Sequence, residues 1–398
     1  MGIKDLYKVI KKHAPDALMT ISFSEMTGYR FAVDISIFLY KYIRSSGEKY
    51  WADNFIMMLC SLKRNSIKTV CIFDGPNPPI EKKEEQQKRR KETKRILDRL
   101  EEAERLRDLL AEKYVEDPDG LGIQEPEKRN SRLPDDLIDS IRNVVGKPRK
   151  RIKLSTDWKI PRQSYDILLE TVERLHRQSM PITNEHKEMA KRIVRAMGLG
   201  CIEAPGEAET LCAYLCRKKF VDAVLTEDTD VLPYGTPIMV AYKDFKITEE
   251  KLYCIHYDTL LEELEMDESK FRDLCILLRC DYNKHNPSIK GRPPDGKKRK
   301  KNVSIGMVGA MSLMEECSCL EECEKYIEDI SPLNYRRCRE LLTIPSDIPF
   351  HPIPVNSPLD ISELTSILSE TNSRITLEFI QSCWKPTPIE FESDESDD

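Results

Sequence analysis

Paired cysteine spacing is absent from this chain of 398 residues. It has thirteen cysteines, but no two of them form a Cys-x-x-Cys pair. Such pairs are typical of zinc ribbons, and regular cysteine frameworks are typical of small secreted domains, so we expect reduced thiols instead. The beginning of the chain has no secretory signal pattern, and no apolar run approaches a membrane span. We expect an intracellular protein without membrane contact, nuclear if the source is eukaryotic and otherwise cytoplasmic.

A general excess of basic residues is also missing, since the formal net charge is −6. The charges are nevertheless segregated along the chain. Residues 282–302 contain eight lysines and arginines against one acid, whereas residues 390–398 contain six acids and no base. Because local patches govern contact with a polyanion, the net charge does not exclude a nucleic-acid partner.

Glycine and proline are absent between Ile80 and Tyr114. Apolar residues recur there at steps of three and four, which predicts one long helix with a narrow apolar stripe. The first half, Lys82 to Arg95, is basic and nearly free of apolar residues. It is either a solvated helix with ion pairs along its surface or a helix that faces phosphates. Its position directly after the loop at Asp74 favours the second interpretation.

Seven carboxylates in five separate segments are the most informative residues present. Three of the segments place an acid at the end of a short apolar run, which is typical of buried parallel strands. Ligand sites of open α/β sheets lie at the carboxyl ends of such strands. Acids gathered there would repel one another, and hard divalent cations such as Mg²⁺ relieve that cost. The seven are Asp34, Asp74, Glu207, Glu209, Asp228, Asp230 and Asp281.

Taken singly, these acids also have structural interpretations. Asp74 precedes a glycine, as in many turns, and the Glu207–Glu209 pair follows Pro205, as at an acidic helix start. Both glutamates can face one site only if the helix begins there. For Asp228 and Asp230 we predict an extended segment, in which residues two apart point to the same side.

The patterns predict an α/β fold with a central, mostly parallel sheet and helices on both faces. We expect strands near residues 30–34 and 69–73, helices near residues 54–63 and 163–197, and a helical segment at 304–342. Residues 115–162 read as an irregular insertion. Beyond Thr343 we expect extended chain, apart from a short helix near residues 359–370. We predict four regions along the chain: an N-terminal region (1–110), an insertion (111–165), an internal region (166–345) and a C-terminal extension (346–398).

With these motifs in this order, the chain resembles a known family, the flap endonucleases, which belong to the xeroderma pigmentosum G-type structure-specific 5′ nucleases. The matching motifs occur in the family's order over residues 1–281. They are Met-Gly-Ile-Lys-Asp-Leu, Val-Asp34-Ile-Ser, Phe-Asp74-Gly, Glu-Ala-Pro-Gly-Glu207-Ala-Glu209, Thr-Glu-Asp228-Thr-Asp230 and Arg-Cys-Asp281-Tyr. The resemblance implies a PIN-like nuclease core with a helical arch and a helix-two-turn-helix-like segment.

The resemblance also implies residue roles. Two Mg²⁺ ions, for which Mn²⁺ can substitute, would be held by the carboxylates, the first four in chain order at one ion and the last three at the other. Lys82 and Arg89 would act on the scissile phosphate, Tyr40 would stack on a nucleotide, and Gly2 would lie beside the substrate. Tyr40 could equally be a core tyrosine, and Lys82 and Arg89 part of a solvated charge run. A K⁺ ion is implied near Ile305–Gly309.

Three departures from the family pattern leave the substrate open. The insertion at 115–162 is long, the basic insert 282–302 interrupts the DNA-binding motif, and a clamp-binding motif is not evident. Within the insert, Lys297, Lys298, Arg299, Lys300 and Lys301 either contact phosphates or form a surface loop. We expect a monomer that cuts branched or flapped DNA in replication, repair or recombination. The alternatives are 5′-3′ exonuclease, gap or junction cleavage, cleavage of RNA, and a non-catalytic nucleic-acid-binding relative.

Overall fold

The computed structural model describes residues 2–113, 133–146, 161–242, 251–283, 306–327, 329–346, 348–349 and 357–384. Seven strands lie within these ranges: β1 (Leu18–Ser22), β2 (Arg30–Asp34), β3 (Lys68–Phe73), β4 (Gly200–Glu203), β5 (Ala223–Leu225), β6 (Ile238–Tyr242) and β7 (Lys251–His256). The helices of the first half are α1 (Leu6–His13), α2 (Ile35–Ser46), α3 (Trp51–Arg64), α4 (Lys82–Lys113), α5 (Asp135–Val145), α6 (Pro161–Ser179) and α7 (Asn184–Ala196). Those of the second half are α8 (Ala208–Arg217), α9 (Tyr257–Leu264), α10 (Glu268–Leu278), α11 (Met307–Glu316), α12 (Leu320–Cys323), α13 (Tyr335–Leu341), α14 (Ile361–Glu370) and α15 (Leu377–Cys383).

The seven strands form one mixed sheet in the order β1-β7-β6-β5-β2-β3-β4. The five strands from β6 to β4 are parallel, and β7 pairs antiparallel with both β6 and β1. Val33 of β2 lies in register with Cys71 of β3 on one side and Leu225 of β5 on the other. The carboxyl ends of these three strands therefore meet at one edge, and the predicted, mostly parallel α/β sheet is confirmed.

Continuous apolar runs make up the central strands because both of their faces are covered. Phe31, Ala32 and Val33 of β2 are fully buried, and so are Cys71 and Ile72 of β3. Runs of this kind are expected where helices cover both faces of a parallel sheet. The acids that follow such runs are thus fixed in space by a rigid, buried backbone.

The described chain divides into two compact units. The first comprises residues 1–42, 49–85 and 183–398, and it contains the sheet and a core built on α1, α8 and α10. The second comprises residues 43–48 and 86–182. Its core joins the apolar stripe of α4, from Leu100 to Leu110, with apolar side chains of α5 and α6. The predicted long helix with one narrow stripe is confirmed by α4.

Several predictions of local structure were wrong. Helix α5 lies inside the segment 115–162 that was expected to be irregular, where Ile138 and Ile141 are buried in the second unit's core. The predicted helix at 163–197 is two helices, since Pro181 separates α6 from α7. Helix α14 matches the short helix expected near 359–370, but α15 follows it in a segment predicted to be extended. No helix of the described ranges is both long enough and apolar enough to cross a membrane.

Candidate active site

Three of the seven carboxylates lie at or shortly after the carboxyl ends of parallel strands. Asp34 is the last residue of β2, Asp74 comes immediately after β3, and Asp228 comes three residues after the end of β5. Thr226, between β5 and Asp228, donates a hydrogen bond from its hydroxyl to Asp34 Oδ2 at 3.2 Å and accepts one from the backbone N–H of Asp228 at 3.1 Å. This threonine ties the ends of two neighbouring strands together.

Helix α8 brings two further acids to the same edge. Glu207 is the N-cap residue with an extended backbone (φ −88°, ψ 141°), and Glu209 lies in the first helical turn. Asp74 Oδ1 accepts a hydrogen bond from the backbone N–H of Ala208 at 2.9 Å, so this acid binds the free N–H groups at the helix start. The condition set by the sequence, that the helix begins at the glutamate pair, is confirmed.

The Asp228–Asp230 segment is extended only at Asp228 (φ −98°, ψ 116°), not throughout as we predicted. Asp228 is the N-cap of a 3-10 helix, Thr229–Tyr234, and its side chain accepts a hydrogen bond from the backbone N–H of Asp230 at 3.1 Å. An aspartate cap of this kind satisfies an N-terminal amide and competes with extended structure. The two acids therefore share one side of the chain for a reason other than strand alternation.

Asp281 lies in a short loop after α10. Arg279 has a positive φ (88°) at the end of this helix. Asn283 then fixes the loop, since its Oδ1 accepts from the backbone N–H of Cys280 at 2.8 Å and its Nδ2 donates to the carbonyl of Leu333 at 2.7 Å. Asp281 is thus held by side-chain hydrogen bonds on a loop that no strand pattern would reveal.

The gathered carboxylates raise one another's pKa values. Burial, followed by the charges of Glu209, Asp74 and Asp228, raises the pKa of Asp34 well above its usual range. For Asp230, burial and then the charges of Asp228, Asp281 and Glu209 act in the same direction. Burial and the charge of Glu209 raise the pKa of Asp228 to about 6. These mutual effects place acids from all five segments within one electrostatic cluster.

Glu207 and Lys82 complete the cluster. Burial and the charge of Glu209 raise the pKa of Glu207 to about 7, against the opposing effect of Lys82. The Lys82 ammonium forms ion pairs with both Glu207 and Glu209, at 2.8 Å from Glu209 Oε1. Burial alone would lower the pKa of Lys82, but the charges of the two glutamates outweigh it and raise this pKa well above the usual value. Lys82, a residue singled out from the sequence, therefore lies directly against two of the predicted ligands.

Divalent cations fit this donor set. Asp34 Oδ1 and Asp230 Oδ1 are buried and have no hydrogen-bond partner within the described part of the chain. Leaving buried acceptors unsatisfied is costly, and a hard cation coordinated by oxygens would remove that cost. The side chains do not form a ready-made cage, however, since no three acidic, histidine or cysteine groups of the described residues are arranged as a metal site. In this structure the Lys82 ammonium neutralises part of the negative charge of the carboxylate cluster.

Gly2 lies against the same acids. Its backbone has φ +96°, and a Cβ atom added there would lie 2.3 Å from Asp228 Oδ1 and 2.5 Å from Thr229 Oγ1. Both the positive φ and the close approach require glycine. The structure thus has Gly2 beside Asp228 and Thr229, and its position beside the substrate stays a prediction.

Tyr40 lies on α2 and Arg89 on α4. Tyr40 is half-buried, whereas its helical neighbours Leu39, Tyr42 and Ile43 are buried. Arg89 is exposed on α4, seven residues after Lys82. Their assignment to the substrate stays a prediction.

The basic insert Lys297–Lys301 and residue Ile305 lie outside the described residues. Of the segment to which we assigned K⁺, Gly306 is the N-cap of α11 and Gly309 lies within its first turn.

The sequence patterns did not reveal several polar residues that contact the acids or their neighbours. The hydroxyl of Tyr282 donates to Glu207 Oε2, and it lies 3.0 Å from the hydroxyl of Tyr234. Lys41 of α2 forms an ion pair with Glu227, the neighbour of Asp228. Tyr282 directly follows Asp281 in the sequence, and a buried tyrosine hydroxyl usually needs a partner, which is the one signal that could have identified it.

Two family models match the chain, the XPG N-terminal domain over residues 1–96 and the XPG I-region over residues 198–281. A probable RAD2-like endonuclease of Invertebrate iridescent virus 6 is 29% identical over 366 residues, covering 86% of this chain and 79% of the relative. Flap endonuclease 1 of Ajellomyces dermatitidis is 27% identical over 363 residues, covering 88% and 71%.

Among solved structures, the catalytic core of Rad2 in complex with DNA substrate has a TM-score of 0.55 at 16% identity. The match covers 93% of this chain and 95% of that structure. At this level of identity the likeness establishes the fold.

The sheet and the carboxylates at its edge define a PIN-like nuclease, a class that hydrolyses phosphodiesters. Both family models and these relatives agree, so the chain is similar to the XPG-type flap endonucleases. Nucleases of this family depend on metal ions, generally Mg²⁺.

Proposed function

We propose that this protein cuts 5′-flapped or otherwise branched DNA, and that it does so with two Mg²⁺ ions, for which Mn²⁺ can substitute. The observation that carries the proposal is the convergence of seven carboxylates from five segments. Two of these acids, Asp34 and Asp230, keep a buried oxygen that has no hydrogen-bond partner among the described residues. The naming of the fungal relative as a flap endonuclease and the DNA bound to the Rad2 core support DNA as the substrate.

The residues that would hold the ions are the seven acids. Asp34, Asp74, Glu207 and Glu209 would serve one ion, and Asp228, Asp230 and Asp281 the other. Bound divalent cations supply activation of the attacking water and stabilisation of the leaving oxygen in an in-line displacement. A nucleophilic side chain is therefore not needed for the P–O bond to be exchanged.

The protein's own groups position the phosphate and the flanking nucleotide. Lys82 lies at the carboxylates, and its ammonium can neutralise charge on a phosphate brought to them. Arg89, on the same helix, adds a second positive charge that is exposed. Tyr40, half-buried on α2, offers an aromatic face on which an unpaired base can stack.

A cleavage assay with an active-site variant tests this function. We expect Mg²⁺-dependent cutting of a labelled 5′-flap duplex by the wild-type protein, and loss of cutting by roughly 10³-fold or more in Asp228→Ala, with DNA binding retained. Asp258→Ala serves as a matched control, because Asp258 is an exposed acid in the first turn of α9. A purified Asp228→Ala protein with full activity would refute the two-metal site.

The same assay resolves the preferred substrate. A panel with a common sequence would contain a 5′ flap, a gapped duplex, a Holliday-type junction, a blunt duplex and an RNA flap. Strongest cleavage of the DNA flap is the expected result. Preference for the gap, the junction or a free end would replace the flap assignment while leaving the phosphodiester chemistry intact.

A further inference from the structure

Two buried tyrosines, Tyr282 and Tyr234, connect three of the acid-bearing segments through hydrogen bonds. Tyr282 directly follows Asp281, and Tyr234 ends the 3-10 helix that Asp228 and Asp230 begin. Their side chains are only 4% and 1% exposed. The Tyr282 hydroxyl donates to Glu207 Oε2, and the two hydroxyl oxygens are 3.0 Å apart. Residues from three segments are therefore connected by hydrogen bonds that never reach solvent.

The direction of these hydrogen bonds follows from counting protons. A tyrosine hydroxyl has one proton to donate, and Tyr282 uses its proton for the carboxylate of Glu207. The oxygen of Tyr282 must then accept, so Tyr234 is the donor between the two hydroxyls. Donation to Tyr282 polarises its O–H group and strengthens the hydrogen bond to Glu207.

Glu207 lacks the hydrogen bonds from backbone N–H groups that hold the side chains of Asp74 and Asp228. It is the N-cap of α8 and has no side-chain hydrogen bond to the helix, so its long side chain is not fixed by capping. Tyr282 holds Oε2, while Oε1 faces the Lys82 ammonium and hence the side where positive charge is bound. The hydrogen bond thus selects which carboxylate oxygen is presented to a cation.

We propose that Tyr282 and Tyr234 are positioning residues that orient Glu207 for divalent-cation binding, with Tyr234 acting through Tyr282. The inference rests on the proposed function, because it assumes that Glu207 is a metal ligand. Partners that orient a ligand from behind contribute typically about 10- to 100-fold to metal affinity. The two rings also fill space in the core, and that role has to be separated from the hydrogen bonds.

Phenylalanine variants make this separation, since each removes one oxygen atom and keeps the ring. The readout is the Kd for Mn²⁺, measured by calorimetry on the full chain, with thermal unfolding followed in chelator. We expect Tyr282→Phe to raise the Kd by about 10-fold and Tyr234→Phe to raise it less. The double variant should resemble Tyr282→Phe alone, because the second hydroxyl acts only through the first.

Tyr257→Phe is the matched control. Tyr257 is a buried tyrosine whose hydroxyl has no hydrogen-bond partner among the described residues, and the Kd should not change there. An unchanged Kd in both Tyr282→Phe and Tyr234→Phe, or equal shifts in Tyr257→Phe, would overturn the inference. If Tyr282→Phe does not fold, Tyr234→Phe decides alone. Failure of the wild-type protein to bind Mn²⁺ or to cut DNA would instead refute the proposed function.

Discussion

At the scale of the residue, the carboxylate cluster makes stability depend on pH. Burial, as the largest cause, raises the pKa of Glu207 to about 7 and that of Asp228 to about 6. The folded protein therefore holds these protons more tightly than the unfolded chain. In chelator, we expect the free energy of unfolding to fall by on the order of 2 kcal/mol between about pH 5.5 and pH 8, measured by denaturant titration.

The sign follows from the direction of the shifts. A raised carboxyl pKa favours the folded state below the unfolded pKa, and this advantage is lost as the pH rises through the folded pKa. Acids with depressed pKa values, such as Glu321 beside Arg339, titrate below this window and do not contribute to it. Glu207→Gln should flatten the dependence, whereas stability that rises from pH 5.5 to pH 8 would contradict the account.

Individual acids were predictable from the sequence, but their supports were not. Glu207 and Glu209 were recognised because the Pro205 turn announces a helix start, and that start is where they converge. The backbone at Asp230 was predicted wrongly, since a 3-10 helix capped by Asp228 begins at Thr229. Tyr234, 48 residues from Tyr282 in sequence, could not be linked to it because hydrogen bonds between distant residues leave no local pattern.

At the scale of the element, α14 and α15 hold the end of the described chain against other helices of the first unit. Helix α14 packs against α7 and helix α15 against α3. Arg192 of α7 pairs with both Glu363 and Glu370 of α14. These ion pairs are partly exposed and contribute little, so burial of apolar side chains carries the attachment.

Leu364→Ala tests the attachment of α14. Leu364 is fully buried, and its truncation should lower the free energy of unfolding by roughly 2–5 kcal/mol, measured by chemical denaturation. Ile361→Ala is the control on the same helix, because Ile361 is 40% exposed and its loss should cost far less. Equal effects of the two substitutions would show that burial does not attach this helix. Cleavage by Leu364→Ala below its unfolding temperature should be unchanged.

Element prediction succeeded where one period dominated the sequence. Strand β3 follows a continuous apolar run. Helix α4 follows apolar residues at steps of three and four in a stretch without glycine or proline. Helix α5 was missed because it has only eleven residues inside a segment rich in proline and glycine. Its buried residues face a core supplied by α4 and α6, so tertiary contacts rather than local propensity maintain it.

At the scale of the whole molecule, sheet order was beyond the sequence patterns. Strand β2 pairs with β3, 38 residues away between Arg30 and Lys68, and also with β5, 192 residues away between Phe31 and Ala223. Nothing local distinguishes these partners from β4 or β6. The mostly parallel character was predictable, because apolar runs alternate with helices, but the antiparallel addition of β7 and β1 was not.

Charge segregation is the whole-molecule feature with a direct consequence for DNA binding. The chain has a net charge of −6, yet five consecutive basic residues occupy Lys297–Lys301. Neutralising all five with glutamine should weaken binding to a flap duplex and reduce the slope of log K against log salt. Each phosphate contact contributes about 0.9 to that slope on duplex DNA, so the loss should be between about 2 and 4.5 if two to five of these residues contact phosphates.

The control must remove the same charge elsewhere, because any loss of five positive charges lowers long-range attraction. Five exposed lysines of the described surface serve this purpose: Lys11, Lys12, Lys218, Lys219 and Lys325. Their replacement should lower affinity only slightly and leave the slope close to the wild-type value, since the slope counts counterions released at contacted phosphates. Equal slopes for the two variants would mean that Lys297–Lys301 act through net charge alone. A steeper wild-type slope that only the Lys297–Lys301 variant loses would instead make this insert a phosphate-binding segment.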